Sequence, residues 1–127
     1  MEITVIIVML ALAQYMYFTA RAGMYRNKYK IAAPACTGNE QFERAFRVQQ
    51  NSLEQLVIFI PAQLIFAWYV SALWGAVLGL VYLAGRFLYA SAYINNPEKR
   101  APGMLMTFIP NAILVLGVVV VMVLKLV

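Results

Sequence analysis

The sequence predicts an all-α protein that crosses a membrane as a four-helix bundle. Hydrophobic residues make up 64% of the 127 residues and charged residues only 12%, whereas soluble domains contain about 45–50% apolar residues. At about 20 residues for each membrane span, this length accommodates four spans with short connections. The chain is therefore expected to form a single domain, residues 1–127, embedded in a lipid bilayer.

Composition excludes several kinds of site. The sequence has no His and a single Cys, Cys36, which removes disulfide frameworks and the Cys and His ligand sets of zinc and haem. No metal site is expected. The net charge of +5 comes from ten Lys and Arg residues against five acids. Most of these cations lie between the spans and form no nucleic-acid signature, so no nucleic-acid partner is expected.

The first apolar run extends from Ile3 to about Arg21 and continues as a helix with a basic rim. It lacks a basic n-region and a convincing cleavage site, so we interpret it as a retained span and not as a signal peptide. Residues 31–41 contain Pro, Gly and Asn, which favour a loop.

The stretch from Phe42 contains no clear helix breaker before Gly75, and its apolar character continues to Gly85. At about 1.5 Å per residue it is much longer than one bilayer core of about 30 Å, so it must turn once. The segment from Ser71 to Gly75 is predicted as the turn because aromatic residues typical of a membrane interface flank it. Pro61 is predicted to bend the second span without ending it.

The third span is predicted from about Leu73 to Tyr93, and the fourth from Met104 to about Leu124. The loop between them, residues 95–103, is bounded by two prolines. Cations concentrate at the two odd-numbered loops: Arg21, Arg26, Lys28, Lys30, Arg44, Lys99 and Arg100. The positive-inside rule then predicts that both odd loops are cytoplasmic and that both termini lie on the opposite side.

The second span begins with a polar face. Arg44, Arg47, Asn51 and Glu54 follow the spacing i, i+3, i+7, i+10 and share one side of a helix, whereas Gln49 points to the opposite side. A charge in the hydrocarbon costs roughly 2.5–3.5 kcal/mol on insertion scales, so such residues usually face protein or a watery cavity. The alternative is a solvated amphipathic segment whose arginines snorkel to the membrane surface.

The third span carries a matching polar face near the same membrane surface. Arg86, Tyr89 and Tyr93 are spaced i, i+3, i+7, and Arg100 follows in the adjoining loop. Arg forks suit carboxylates and an acid suits an ammonium group, while Asn and Tyr can fix backbone amides. A small zwitterionic peptide with more than one carboxylate would satisfy this set. The alternative is an internal salt-bridge network in which Glu54 pairs with an arginine and binds nothing.

Residues 42–54, F-E-R-A-F-R-V-Q-Q-N-S-L-E, resemble the signature of the MAPEG family, membrane-associated proteins in eicosanoid and glutathione metabolism. The resemblance is to the branch of microsomal glutathione transferases and leukotriene-C synthase. The stretch L-V-Y-L-A-G-R-F-L-Y-A-S-A-Y from Leu80, followed by Lys99 and Arg100, is similar to the third helix and following loop of that family. The pattern covers nearly the whole chain.

The resemblance implies a homotrimer that holds glutathione, the co-substrate, between neighbouring subunits near the cytoplasmic surface. It implies that Arg100 stabilises the glutathione thiolate, which attacks a lipophilic electrophile arriving from the bilayer. Glutathione-dependent peroxide reduction is compatible with the same site. By this resemblance one subunit contributes Arg47, Asn51, Glu54, Tyr89 and Tyr93, and its neighbour contributes Arg26 and Gln49.

Two positions depart from the leukotriene-synthase pattern. Gln55 stands where a Tyr follows the Glu, and Asn27 stands where a second consecutive Arg follows the first. The missing second Arg weakens the expectation of a specialised leukotriene-type mechanism and leaves general glutathione transfer intact.

Two other functions are alternatives to a transferase. A non-catalytic lipid-binding scaffold of the same family would keep the fold and lose the glutathione residues, which this sequence retains. A small four-span multidrug exporter would need an accessible acid in the membrane. Glu54 could serve, but the surrounding arginines would repel cationic drugs.

Overall fold

The computed structural model describes residues 1–127 and contains four long helices in an antiparallel arrangement. They are α1 (Glu2–Lys28), α2 (Glu40–Tyr69), α3 (Ala72–Asn95) and α4 (Ala101–Leu126), with a single 3-10 turn at Pro97–Lys99. All four are long and apolar enough to cross a bilayer. The all-helical, four-span fold expected from the sequence is confirmed, and its many exposed aliphatic side chains suit contact with lipid.

Helix starts follow the capping chemistry of the sequence. The side-chain oxygen of Asn39 accepts hydrogen bonds from the backbone N–H groups of Gln41 and Phe42 at 2.9 and 3.1 Å, so α2 begins within the expected first loop. Ser71 caps α3 by accepting from Trp74 N–H at 3.1 Å. The turn therefore occupies residues 70–71, and Gly75 lies inside α3 instead of in the turn.

The prolines have different consequences. Pro61 and Pro110 lie inside α2 and α4, and both helices continue through them. Pro102 lies in the first turn of α4, where a missing N–H removes no intrahelical hydrogen bond. The second odd loop is accordingly shorter than the sequence indicated, and it ends at Arg100.

Two buried clusters hold the bundle together. The first, further from the basic loops, includes Phe59 and Tyr82, whose rings stack with centroids 3.9 Å apart. The second lies at the basic-loop end and includes Phe18, Val48 and Tyr89. This second cluster fixes the ends of α1, α2 and α3 where the polar side chains are concentrated.

Helices α3 and α4 pack with their backbones close together. A Cβ added at Gly103 would lie 2.6 Å from Tyr89 Cα and 2.9 Å from the carbonyl oxygen of Gly85. Small residues commonly permit such close helix crossings in membranes. Gly103 therefore fixes the position of Tyr89 relative to α4.

We predict that Gly103→Ala destabilises the bundle by roughly 1–3 kcal/mol, the usual cost of overpacking. Gly23→Ala is the matched control, because a Cβ there meets nothing within 4 Å. That change should be neutral or stabilise α1 by up to about 1 kcal/mol. Thermal loss of helical circular dichroism in one detergent measures both, and equal midpoints for the two variants would contradict the close crossing.

Candidate functional site

The polar residues of α2 lie on the outward side of the single-chain bundle. The buried side of this helix is formed by residues such as Val48, Ser52 and Leu56, whereas Arg47 and Glu54 are exposed. Asn51, half-buried, lies between them on the same face. The helical spacing in the sequence thus predicted a shared face correctly, and one chain alone leaves that face uncovered.

A cavity of about 420 Å³ lies where the first loop, α2 and α3 meet. It is lined by Cys36, Glu40, Glu43, Arg44, Phe46, Arg47 and Tyr93. The structure therefore brings two of the sequence-predicted residues, Arg47 and Tyr93, to one cavity. Its acids already have partners, because Glu40 pairs with Arg44 and a Glu43 oxygen accepts from Gly38 N–H at 3.3 Å.

Arg44 links helices and is not free to bind a ligand. Its Nη1 donates to the carbonyl oxygen of Ile94 at 2.9 Å, and its Nη2 donates to Glu40 one turn earlier. This connection ties the start of α2 to the end of α3. The exposed guanidinium of Arg47 has no such partner and remains the available cation at the cavity.

A buried arginine lies directly behind the tyrosines. The side chain of Arg86 is 1% exposed, and its Nη2 donates to the Ser52 hydroxyl at 2.8 Å. Its guanidinium carbon lies 4.6 Å from the Tyr89 ring centroid, and that ring lies 5.5 Å from the ring of Tyr93. The predicted face of α3 is thus a series of neighbouring side chains, from Arg86 in the protein interior through Tyr89 to Tyr93 at the cavity.

Arg26 and Gln49, the two residues expected to come from a neighbouring subunit, contact other groups within their own chain. Gln49 Nε2 donates to the Tyr15 hydroxyl of α1 at 3.2 Å. Arg26 Nη1 donates to the Ala35 carbonyl at 2.7 Å, and the Arg26 guanidinium lies 4.7 Å from the Phe42 ring centroid. Neither residue lines the cavity that Arg47 shares with α3.

Arg100 is exposed at the junction of the 3-10 turn and α4. Its Nη1 donates to the Pro97 carbonyl at 2.9 Å, and it forms no ion pair. A cation held at one nitrogen by a neutral carbonyl keeps its remaining donors and its charge available to an anionic ligand.

The chain does not form the internal salt-bridge network in which Glu54 would pair with an arginine. Its ion pairs are Met1 with Glu2 and Arg44 with Glu40, so Glu54 pairs with neither Arg47 nor Arg86. An acid on the outer face of a membrane helix and a free arginine nearby are therefore both left for another partner. No group of three or more His, Cys, Asp or Glu side chains is positioned to hold a metal ion.

Comparison with known proteins assigns the chain to a family. A sequence model of a protein family, described as MAPEG family, matches residues 4–120 of this chain. The chain belongs to the MAPEG family. The resemblance read from the α2 segment is thereby confirmed at the level of the family.

Three relatives illustrate the range of similarity. A protein of Synechocystis sp. described as uncharacterised is 44% identical over 88% of this chain and 82% of its own length. Microsomal glutathione S-transferase 2 of Mus musculus is 42% identical over 87% of this chain and 78% of its own length. Leukotriene C4 synthase of Bos taurus is 29% identical over 66% of this chain and 56% of its own length.

Two polar contacts of this MAPEG chain were not predicted from its sequence. Ser52 is the side-chain partner of Arg86, and Gln55 Oε1 accepts from Asn111 Nδ2 of α4 at 3.2 Å. The second could have been anticipated, because Asn111 is the one strongly polar residue inside the fourth span and needs a partner there. Gln55, which departs from the leukotriene-synthase pattern, thus joins α2 to α4.

We predict that Ser52→Ala lowers the free energy of unfolding by roughly 1–3 kcal/mol, because Arg86 loses its only side-chain hydrogen-bond partner while it stays buried. Ser91→Ala, at an exposed serine of α3, is the matched control and should be close to neutral. Thermal unfolding in detergent compares the two variants. Equal stability would show that the Arg86–Ser52 hydrogen bond does not support the bundle.

Proposed function

We propose that this MAPEG protein is a membrane-bound glutathione transferase that uses glutathione as co-substrate. The observation that carries the proposal is the uncovered polar face of α2, where Arg47 and Glu54 lie without ion-pair partners and Arg47 shares a cavity with Tyr93 of α3. Two relatives bear transferase and synthase names, microsomal glutathione S-transferase 2 and leukotriene C4 synthase. Glutathione has two carboxylates and one ammonium group, which match an excess of Arg over Glu.

Within one subunit, Arg47, Asn51, Glu54, Tyr89 and Tyr93 are proposed to bind glutathione. The arginine suits a carboxylate and Glu54 suits the ammonium group, while the amide and the phenols can hydrogen-bond the peptide. The cavity shared by Arg47 and Tyr93 supports this assignment.

A homotrimer is part of the proposal, because the polar face of α2 lies at membrane depth and a neighbouring subunit would shield it from lipid. Glu54 lies about 21 Å along α2 from its first residue, well inside a helix about 45 Å long. Exposing its charge to lipid would be costly. A neighbouring chain that presents Arg26 and Gln49 would cover this face and complete the glutathione site.

The thiolate is proposed to be stabilised by Arg100 and to attack a lipophilic electrophile that enters from the bilayer. The thiol proton leaves to solvent, and the sulfur forms a bond to the electrophilic carbon. The electron pair displaced from that carbon departs with a leaving group or is protonated by water. Reduction of a lipid hydroperoxide is the second chemistry that such a site would support. The thiolate would take the terminal peroxide oxygen and release the lipid alcohol, and a second glutathione would then release water and form glutathione disulfide. The role of Arg100 is supported by its exposure and by the absence of an ion pair at its guanidinium.

Both odd loops, and with them the glutathione site, are proposed to face the cytoplasm. The cations of the chain concentrate there, as the positive-inside rule requires. Both termini would then lie on the opposite side of the membrane.

We predict that Arg47→Ala and Glu54→Ala each weaken glutathione binding by about tenfold or more, since truncating one partner of a buried charge pair costs about 2–5 kcal/mol. Lys28→Ala and Glu98→Ala are matched controls for loss of a cation and of an acid at exposed positions. Calorimetric titration with glutathione gives the affinities, and circular dichroism checks the fold. Parent-like affinity in both site variants would overturn the proposed binding face.

We predict that Arg100→Ala reduces turnover at neutral pH far more than it reduces glutathione affinity. A neighbouring guanidinium favours the charged thiolate and so lowers the pKa of the bound thiol below its free value of about 8.5. Removing the guanidinium raises that pKa, and part of the lost rate should return as the pH rises and the thiol ionises unaided.

The matched control for Arg100→Ala is Lys99→Ala, which removes the adjacent cation of the same turn. Ultraviolet absorbance of the thiolate, followed against pH with glutathione bound, reports the titration midpoint directly. If Arg100→Ala leaves the midpoint unchanged, or Lys99→Ala shifts it equally, Arg100 has no specific role in thiolate stabilisation.

A further inference from the structure

A second cavity, of about 610 Å³, lies between α1 and α3. It is lined by Tyr17, Phe18, Arg21, Tyr25, Phe87, Ala90, Ser91, Ile94 and Asn95. Helical periodicity places Phe87 and Ser91 on a different side of α3 from Tyr89 and Tyr93. This groove is therefore separate from the proposed glutathione face.

Arg21 is the one charged residue of this groove. Its Nε and Nη2 atoms are buried and have no hydrogen-bond partner. Its guanidinium carbon lies 5.6 Å from the ring centroid of Tyr17 and 5.3 Å from that of Phe18. The aromatic rings hold the cation in place but accept no conventional hydrogen bond from it. The remaining nitrogen, Nη1, is not enclosed and also has no hydrogen-bond partner, so it is the atom that an anionic oxygen in the groove would reach.

The groove continues away from Arg21 as a narrower apolar hollow of about 300 Å³. Tyr17 and Phe87 line both parts, and the hollow is completed by Leu10, Ala13, Gln14 and Leu83. Along α1, Leu10 lies three turns before Arg21, so the hollow extends toward the middle of the span. A groove with a polar end and a continuous apolar extension matches the shape of an amphiphile.

The level of Arg21 in the membrane indicates which amphiphile fits. It ends the apolar run that starts at Ile3, a length of about 27 Å on a helix, and so falls near the boundary of the hydrocarbon core. Phospholipid phosphates lie just beyond this boundary, within reach of a long Arg side chain. Tyr25, Ser91 and Asn95 surround the same end of the groove with neutral hydrogen-bonding groups.

We propose that the α1–α3 groove binds one anionic phospholipid of the leaflet next to the basic loops. The lipid phosphate accepts hydrogen bonds from Arg21, its hydroxylated headgroup contacts the neutral polar residues, and one acyl chain lies in the hollow beside Ala13. The second acyl chain remains in the bilayer. Glutathione binding is not involved in this site, so it provides an independent readout of correct folding.

The test is native mass spectrometry of the purified protein after addition of phosphatidylglycerol or phosphatidylcholine. Wild-type protein should retain phosphatidylglycerol preferentially. Arg21→Gln should lower that retention by about tenfold, as expected for loss of a charged hydrogen-bonding partner. Ala13→Trp, which fills the apolar hollow and leaves Arg21 intact, should lower retention of the same lipid.

Lys28→Gln is the matched control, because it removes an exposed cation from the same end of α1 and should leave retention unchanged. Parent-like retention in Arg21→Gln, or an equal loss in Lys28→Gln, would overturn the proposal. Arg21-dependent binding of palmitate in place of phosphatidylglycerol would also overturn it, as would a cross-link from Ala13→Cys to a second copy of the chain. With phosphatidylglycerol present, the thermal midpoint should rise in the wild-type protein and not in Arg21→Gln.

Discussion

The requirement that charge at membrane depth be covered by protein governs this structure. Helix α2 buries side chains such as Val48 and Leu56 against the bundle and leaves Arg47 and Glu54 on its outer surface. A water-soluble protein would tolerate that arrangement without a partner. In a bilayer it is costly, and the two residues pair with nothing in their own chain. The same requirement therefore connects the fold, the proposed trimer and the proposed glutathione site.

The charge of Arg86, behind the candidate site, is covered by protein in a different way. Arg86 is enclosed by its own chain, yet its guanidinium donates to one serine hydroxyl, lies against one tyrosine ring and forms no ion pair with an acid. A positive charge held without an acid favours anions in the space next to it. Tyr89 and Tyr93 lie between Arg86 and the cavity, so the interior cation and the outer arginine both favour an anionic ligand there.

The sequence predicted those features that depend on hydrophobicity and helical periodicity. The four spans, the shared face of Arg47 and Glu54 and the opposite direction of Gln49 all follow from residue spacing, and the structure agrees with each. Contacts between helices were not predictable in this way. Neither the Arg86–Ser52 hydrogen bond nor the burial of Gly75 inside α3 can be read from one helix, since each depends on which neighbour packs against it.

The claim that neighbouring chains share one glutathione site can be tested with mixed oligomers. Chains carrying Arg26→Ala and chains carrying Arg47→Ala would be co-expressed with different affinity tags, purified through both tags and titrated with glutathione by calorimetry. Each variant alone should bind weakly. In mixed oligomers a fraction of the sites should recover parental affinity, because one interface unites an intact Arg26 with an intact Arg47 from its neighbour. Mixed oligomers that bind no better than either pure variant would contradict a site shared between subunits.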